Sequence, residues 1–287
     1  MVQSCRGFGR DGKWTRVCGV RAIVGAAGLG VLGGLLGGCA TPDLGLQPGS
    51  NSVFSAFSGP TPTEAAALAL DKYNANNRYR GTLLLSSATF AGEPVYMALF
   101  RDNMDDEDPG VRAVSARAVA RHGTPDDATL LIQGLADPDA NVRIEVARGL
   151  QRIHNPAAVV PLLKALNATT EAEPQVRFEA ASALGQYPQT IVVEELVASL
   201  EDPNLSVNRN TLMSLRTLTG QDFGFEQKAW LEWYNATDTP FAARNGYMYP
   251  AFSREKKWWE HIPFVPQPPN EPASVPAGMP TTAGGAQ

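Results

Sequence analysis

The chain has 287 residues, of which 24 are basic and 29 acidic, so its net charge is −5, and 44% of its residues are hydrophobic. That content fits a globular protein with a full core and excludes a disordered chain. The acidic balance argues against nucleic acid as a partner, because phosphate backbones are bound by clustered Lys and Arg.

The amino terminus departs from this average. Arg6, Arg10, Lys13, Arg16 and Arg21 precede an uncharged run from Ala22 to Gly38 that contains seven glycines. As a helix this run would rise only about 25 Å, short of the roughly 30 Å hydrocarbon layer. The pattern predicts a removable secretory signal over residues 1–38, with an uncleaved anchor helix as the alternative. Without it, 19 basic and 28 acidic residues remain, for a net charge of −9. Cys5 and Cys18 would leave with the signal, so the mature chain would keep Cys39 alone and be held by its core, with no internal disulfide and no thiol chemistry. No Lys or Arg stands between Cys39 and Lys72, and this asymmetry directs the chain beyond Cys39 across a membrane. Residues 39–62, rich in Gly, Ser, Thr and Pro, read as a flexible tether. Leu36-Gly37-Gly38-Cys39 resembles a bacterial lipobox. That resemblance implies lipidation of Cys39 and anchoring to an envelope membrane, and Ala40 in the next place favours the periplasmic face of the outer membrane.

Beyond the tether, Thr63-Glu64 opens a predicted helix, with Thr63 as its cap and Ala65, Leu68, Ala69 and Tyr73 on one side. A second helix is expected from about 77 to 90. Four stretches then repeat one apolar ladder, starting at Val111-Arg112, Val142-Arg143, Val176-Arg177 and Val207-Asn208, at spacings of 31, 34 and 31 residues. Five residues after each Val comes Ala116, Ala147, Ala181 or Leu212, and eight after it Val119, Leu150, Leu184 or Leu215. Asp108-Pro109, Asp137-Pro138, Glu173-Pro174 and Asp202-Pro203 stand just ahead. A period of this size marks stacked helix pairs. First helices are expected near 93–104, 125–136, 156–168 and 190–201, and second helices near 109–122, 140–153, 174–187 and 205–219. Tyr79-Arg80, 32 residues before Val111-Arg112, marks a degenerate first copy. No window from 63 to 236 alternates with period two beside hairpin turns, so no sheet is expected. A last helix over about 225–235 places Trp230, Trp233 and Tyr234 where they can cap the stack, an aromatic ligand groove being the alternative. Residues 237–265, with Tyr247, Tyr249, Phe252, Trp258, Trp259 and Phe264, are expected to lie extended on the helical body. Residues 266–287 are dominated by Pro, Gly, Ala and Thr and read as disordered.

The repeat resembles HEAT repeats, in particular the short bacterial variety also seen in phycobilisome lyases, over roughly 77–220. The most specific element is Asp137-Pro138-Asp139-Ala140-Asn141-Val142-Arg143. The resemblance implies an all-α solenoid of about five helix pairs over 63–236, with a terminal capping helix and an irregular carboxyl-terminal tail. It also implies a ladder between neighbouring repeats, with Asp108 beside Arg112, Asp137 beside Arg143, Arg177 in the next copy, and a break at Asn208.

Catalytic patterns fare poorly. An iron hydroxylase of this architecture would need His-Glu pairs, and none of the three His residues is followed by Glu. A bilin lyase working by thiol chemistry would need a body Cys. His122 and His154 fall at matching places near helix ends, where histidines bond terminal carbonyls more often than metal. No metal or cofactor is expected. Arg112, Arg117, Arg121, Arg143, Arg148, Arg152, Arg177, Arg209 and Arg216 recur on the second helices against only Glu145 and Glu179. The second helix of a HEAT-type pair lines the concave side, so Arg117, Arg121, Arg148, Arg152, Arg209 and Arg216 are candidates for a basic strip that meets a partner. The alternative is pairing with Asp105, Asp106, Glu107, Asp126 and Asp127 on adjacent turns. The function expected is non-catalytic: a scaffold presenting this face to an envelope protein or acidic ligand. An enzyme related to the bilin lyases, handling a chromophore or metal, is the alternative.

Overall fold

The computed structural model describes residues 61–250, 255–261 and 271–280, all within the second of two units that divide between Ser58 and Gly59. The expected signal, Cys39 and most of the tether lie outside the described residues, as do Phe252, Phe264 and much of 262–287. Among the described residues, no helix is long and apolar enough to cross a membrane.

The described residues form eleven α-helices, the first ten as five pairs: α1 (Pro62–Ala69) with α2 (Ala75–Ser86), α3 (Pro94–Asp102) with α4 (Pro109–His122), α5 (Ala128–Gly134) with α6 (Ala140–Gly149), α7 (Val159–Leu166) with α8 (Pro174–Leu184), and α9 (Thr190–Ala198) with α10 (Leu205–Thr219). The eleventh, α11 (Gln227–Ala236), packs on α9. Each second helix touches the second helix of the next pair, from α2 through α4, α6 and α8 to α10. The apolar ladder read from the sequence is the seam of these contacts. All four Val residues and the residues five and eight places after them are buried, none more than 5% exposed. Alanine at three of the four places five residues after the Val lets the helices approach closely, while burying each Val or Leu contributes about 1.5–3 kcal/mol.

Helix starts follow their caps. Thr61, not Thr63, caps the first helix: its hydroxyl accepts from the Glu64 N–H at 3.3 Å, and Glu64 returns a bond to the Thr61 N–H at 2.7 Å. Asn74 caps α2, whose first residue, Ala75, lies two ahead of the predicted start. Pro125–Asp127 and Pro156–Ala158 form 3-10 turns before α5 and α7. The α6 helix ends at Gly149 rather than 153; beyond it the Leu150 carbonyl accepts from the Gln186 amide at 2.8 Å, and the Arg152 carbonyl and His154 N–H bond Ala277.

The far end of the stack is covered by aromatics. Trp230 is fully buried, meets the Phe223 ring edge-on at 5.0 Å, and donates its indole N–H to the Gly224 carbonyl at 2.9 Å. From there the chain returns along the ends of the second helices. Gly220 closes α10 at φ 70°, where any Cβ would lie 2.2 Å from the Ala243 carbonyl oxygen of this returning segment. Asn245 donates its N–H to the Thr217 carbonyl at 2.8 Å, and Tyr247 is buried. Trp258 lies exposed in a short 3-10 turn. Residues 271–280, which composition alone marks as disordered, pair antiparallel with Tyr249 through Ser274 and parallel with Ile153 through Ala277. These are isolated bridges, and no strand forms among the described residues.

Candidate functional site

Two rows of ion pairs run across the second helices, and they differ in depth. The deeper row begins at the helix starts. Asp108, Asp139, Glu173 and Asn204 cap α4, α6, α8 and α10 through bonds to the first-turn N–H groups. Two residues before each cap stands another acceptor: Asp106, Asp137, Glu171 or Asp202. Each accepts the cap's own N–H, at 2.8, 2.8, 2.9 and 2.7 Å. Each also takes two bonds from a guanidinium of the preceding repeat. Arg78 binds Asp106 at 2.7 and 2.8 Å, and Arg112 binds Asp137 at 2.8 and 2.8 Å. Arg143 binds Glu171 at 2.7 and 2.8 Å, and Arg177 binds Asp202 at 2.7 and 3.0 Å. The remaining nitrogen of Arg112, Arg143 and Arg177 donates to two main-chain carbonyls of its own loop. Planar guanidinium groups suit this task, because one face of donors serves a carboxylate while another closes the loop.

The expected ladder is therefore present with different partners. Asp137 bonds Arg112 rather than pairing by side chain with Arg143, which reaches only its carbonyl. Asp108 is a helix cap with no part in the ladder, and Asp106 takes the place assigned to it. Arg78, not Arg80, begins the row. At the other end, Asp202 is paired and the row stops at Asn208, whose side-chain oxygen is buried without a partner among the described residues.

Burial alone would raise the carboxyl pKa of Asp106, Asp137 and Glu171. The guanidinium and N–H bonds outweigh it and hold all three below the ordinary carboxylate range.

The shallower row crosses the same helices with its carboxylates buried and its Arg side chains closer to solvent, 54% exposed at Arg117 and 28% at Arg148. Arg117 of α4 reaches Glu145 of α6 at 3.0 and 2.6 Å. Arg148 of α6 bonds Glu145 at 3.0 Å and Glu179 of α8 at 2.6 and 3.2 Å. Gln151 and Gln175 complete the shell of Glu179 at 2.6 and 2.9 Å. One step on, Asn210 of α10 bonds Ser182 and the Phe178 carbonyl of α8. The basic strip is thus not an open positive face. Arg117 and Arg148 spend their charge on Glu145 and Glu179, Arg152 on Glu271 at 2.8 and 2.7 Å, and Arg216 on Asp222 at 2.7 Å. None of these acceptors belongs to the group expected from the sequence, where Asp106 serves Arg78 and Asp127 serves Arg101 instead. Of the six strip candidates, Arg121 and Arg209 are exposed and make no ion pair among the described residues.

Around Arg152 the strip meets the returning tail. The Tyr249 ring lies under its guanidinium at 5.4 Å, and a cleft of about 120 Å³ opens beside it between Arg117, Arg121, Arg148 and Glu271. A larger open cavity of about 630 Å³ lies further along, between Gln186, Leu218, Tyr247 and Met279. Burial raises the phenols of Tyr247 and Tyr187, the latter to about 12. His122 bonds the Ser86 carbonyl of the preceding pair at 2.8 Å, and burial lowers its pKa. His154 bonds Gln186 at 3.0 Å and stacks on Tyr187 at 4.8 Å. Among the described residues, no three His, Cys, Asp or Glu side chains stand together as metal ligands would.

Residues 128–216, which hold the most regular part of both rows, match the family of HEAT repeats. Over this stretch, about a third of the chain, the protein is similar to HEAT repeats. A deoxyhypusine hydroxylase from Phaeosphaeria nodorum is 37% identical over 86 residues, which make up 30% of this chain but only 26% of that protein. Among solved structures, the complex of CpcE and CpcF of phycocyanin lyase from Nostoc sp. PCC7120 aligns with a TM-score of 0.48 at 21% identity, over 65% of this chain and 71% of that one. A designed armadillo repeat protein aligns at 0.45 and 14% identity, over 64% of this chain and 95% of the other.

Proposed function

We propose that this protein is a non-catalytic adaptor of the bacterial envelope, anchored by lipid on Cys39 and binding a partner protein on the exposed face of its second helices. The observation that carries the binding half is the continuity of the shallow row. Arg117, Glu145, Arg148 and Glu179 link three successive helix pairs, the two Arg side chains reaching solvent over the buried carboxylates, with Arg121 and Arg209, which form no ion pair among the described residues, near the two ends of the row. Ion pairs that hold neighbouring repeats in register also hold the surface rigid, so a partner meets side chains already in place. The anchor rests on Leu36-Gly37-Gly38-Cys39 and on the lack of Lys and Arg up to Lys72. Several acyl chains on one residue bind firmly, at about 0.8 kcal/mol for each buried methylene.

Arg121→Glu combined with Arg209→Glu tests the face, because neither residue belongs to an ion pair among the described residues. Affinity capture from solubilised envelopes should recover polypeptides with the parent chain and lose most of them with the variant, while both melt alike. Equal recovery would refute the face. Cys39→Ser should move the protein out of the membrane fraction, and a variant that stays there would refute the lipid anchor.

A further inference from the structure

Residues 271–280 hold to the helical body by contacts of a kind that recur in peptide recognition. The Ala277 N–H donates to the Arg152 carbonyl at 2.7 Å, and its carbonyl accepts from the His154 N–H at 2.8 Å. On the other side the Ser274 carbonyl accepts from the Tyr249 N–H at 3.0 Å. Glu271 takes two bonds from Arg152, and Pro276 is buried. Gly278 turns at φ 80°, where a Cβ would lie 2.8 Å from the Pro125 ring and 3.2 Å from the His154 carbonyl oxygen. Main-chain bonds of this sort supply affinity for any extended chain, while the carboxylate, the buried proline and the glycine turn select which one.

The receiving surface is larger than this occupant. Arg121 and Arg152 occupy the same place in successive repeats, ten residues after Val111 and Val142. Arg152 is engaged, whereas Arg121 is exposed, forms no ion pair among the described residues, and lies across the small cleft from Glu271. Hydrogen bonds from Arg152, and behind them the charge of Arg121, hold the Glu271 carboxyl below the usual range despite its burial. From residue 262 onward the chain offers no acid except Glu271, so its own segment satisfies one cation of the two.

We propose that the turn after α6, flanked by Arg152 and Arg121, is a groove for an extended, proline-containing acidic segment of a partner protein, and that residues 271–280 are its built-in competitor. The proposal rests on the reading of this helix face as the partner surface and adds what the partner presents there. A tethered segment works at an effective concentration near the millimolar range, so a free ligand meets a mostly closed groove. Its apparent affinity falls by the fraction of molecules in which the groove is open. A partner with carboxylates for both Arg152 and Arg121 has the means to displace the tail.

The probe is a fluorescein-labelled peptide of residues 269–280, titrated by anisotropy into the full chain and into its Glu271→Ala variant. Loosening the resident segment should tighten peptide binding at least tenfold. The peptide with Gln in place of Glu271 should bind at least tenfold more weakly to the variant, and a further Arg152→Gln substitution should abolish binding. The Glu-to-Gln peptide leaves the protein untouched, so this comparison stands even if an Arg152 variant folds poorly. Equal affinity for the parent chain and Glu271→Ala, or indifference to the Gln substitution, would overturn the proposal. If the peptide binds no variant while envelope capture still depends on Arg121 and Arg209, the groove falls and the partner face stands. If capture is also indifferent to those residues, both fall.

Discussion

Asp202→Ala strikes the deep ladder at its most enclosed rung. The Arg177 and Asp202 side chains are 5% and 3% exposed, and the carboxylate accepts from Arg177 Nε and Nη2 and from the Asn204 N–H. Removing it leaves two guanidinium donors and one N–H without acceptors, while Nη1 keeps its bonds to the Glu171 and Ala172 carbonyls. Breaking a buried pair from one side costs about 3–5 kcal/mol. For a folded unit of this size each kcal/mol shifts the melting temperature by about 2–4 °C, so a fall of about 10 °C is expected by circular dichroism at 222 nm. The control is Asp222→Ala, whose bond to Arg216 joins side chains 56% and 44% exposed. Exposed pairs contribute about 0–1 kcal/mol, so that melt should move by less than about 4 °C. Replacing Arg177 with Met and Asp202 with Leu together should recover part of the loss, because the charge and its partner leave at once while the Asn204 N–H and the Glu171 and Ala172 carbonyls lose their bonds. A ladder variant that melts like its surface control would refute the account of what holds the repeats in register.

Trp230→Ala should cost about 3–5 kcal/mol in urea unfolding, because the ring is fully buried under the last pair, and a cost below about 1 kcal/mol would remove it as the cap. Glu145→Ala should cost about 2 kcal/mol, since it leaves bonds from both Arg117 and Arg148 unmade, and an unchanged urea midpoint would show the shallow row to be incidental. Acid should destabilise the fold in two stages. His122 is lowered from 6.5 chiefly by burial, so its contribution is complete above that value and is lost as pH falls through its depressed pKa. Asp106, Asp137 and Glu171 are also lowered, so the ladder's contribution is intact above about pH 4–5 and disappears below it as they take up protons. Melting temperatures at pH 7, 5 and 3 should fall slightly and then steeply, and a flat profile down to pH 3 would contradict both assignments.

The architecture is legible because one period serves both helix packing and the apolar seam: each Val, and the residues five and eight places on, must be buried if repeats stack. The ladder partners are harder to read because Asp-Pro occurs in two registers. In Asp108-Pro109 and Glu173-Pro174 the acid stands three residues before the Val and caps the helix. In Asp137-Pro138 and Asp202-Pro203 it stands five before and receives the neighbour's guanidinium. Counting back five from each Val finds all four acceptors, Asp106, Asp137, Glu171 and Asp202, without reference to proline. The shallow row leaves a signal too. Arg117 and Arg148 stand six residues after their Val, and Glu145 and Glu179 stand three after the next one. Tallying charge by helix conceals that diagonal, and with it the fact that reversing Arg117, Arg148 and Arg152 would break ion pairs as well as any partner contact. The docking of residues 271–280 is not legible, because it depends on main-chain bonds and one long-range pair that leave no periodic trace.

The central claim is that the partner is met by the second helices. A photo-reactive amino acid placed singly at Arg121 and Met213, both exposed on that face, and at Val95 and Val160, exposed on first helices, tests it in intact cells. The account predicts one polypeptide cross-linked from Arg121 and from Met213 and none from Val95 or Val160. Adducts from the first-helix positions alone would contradict it.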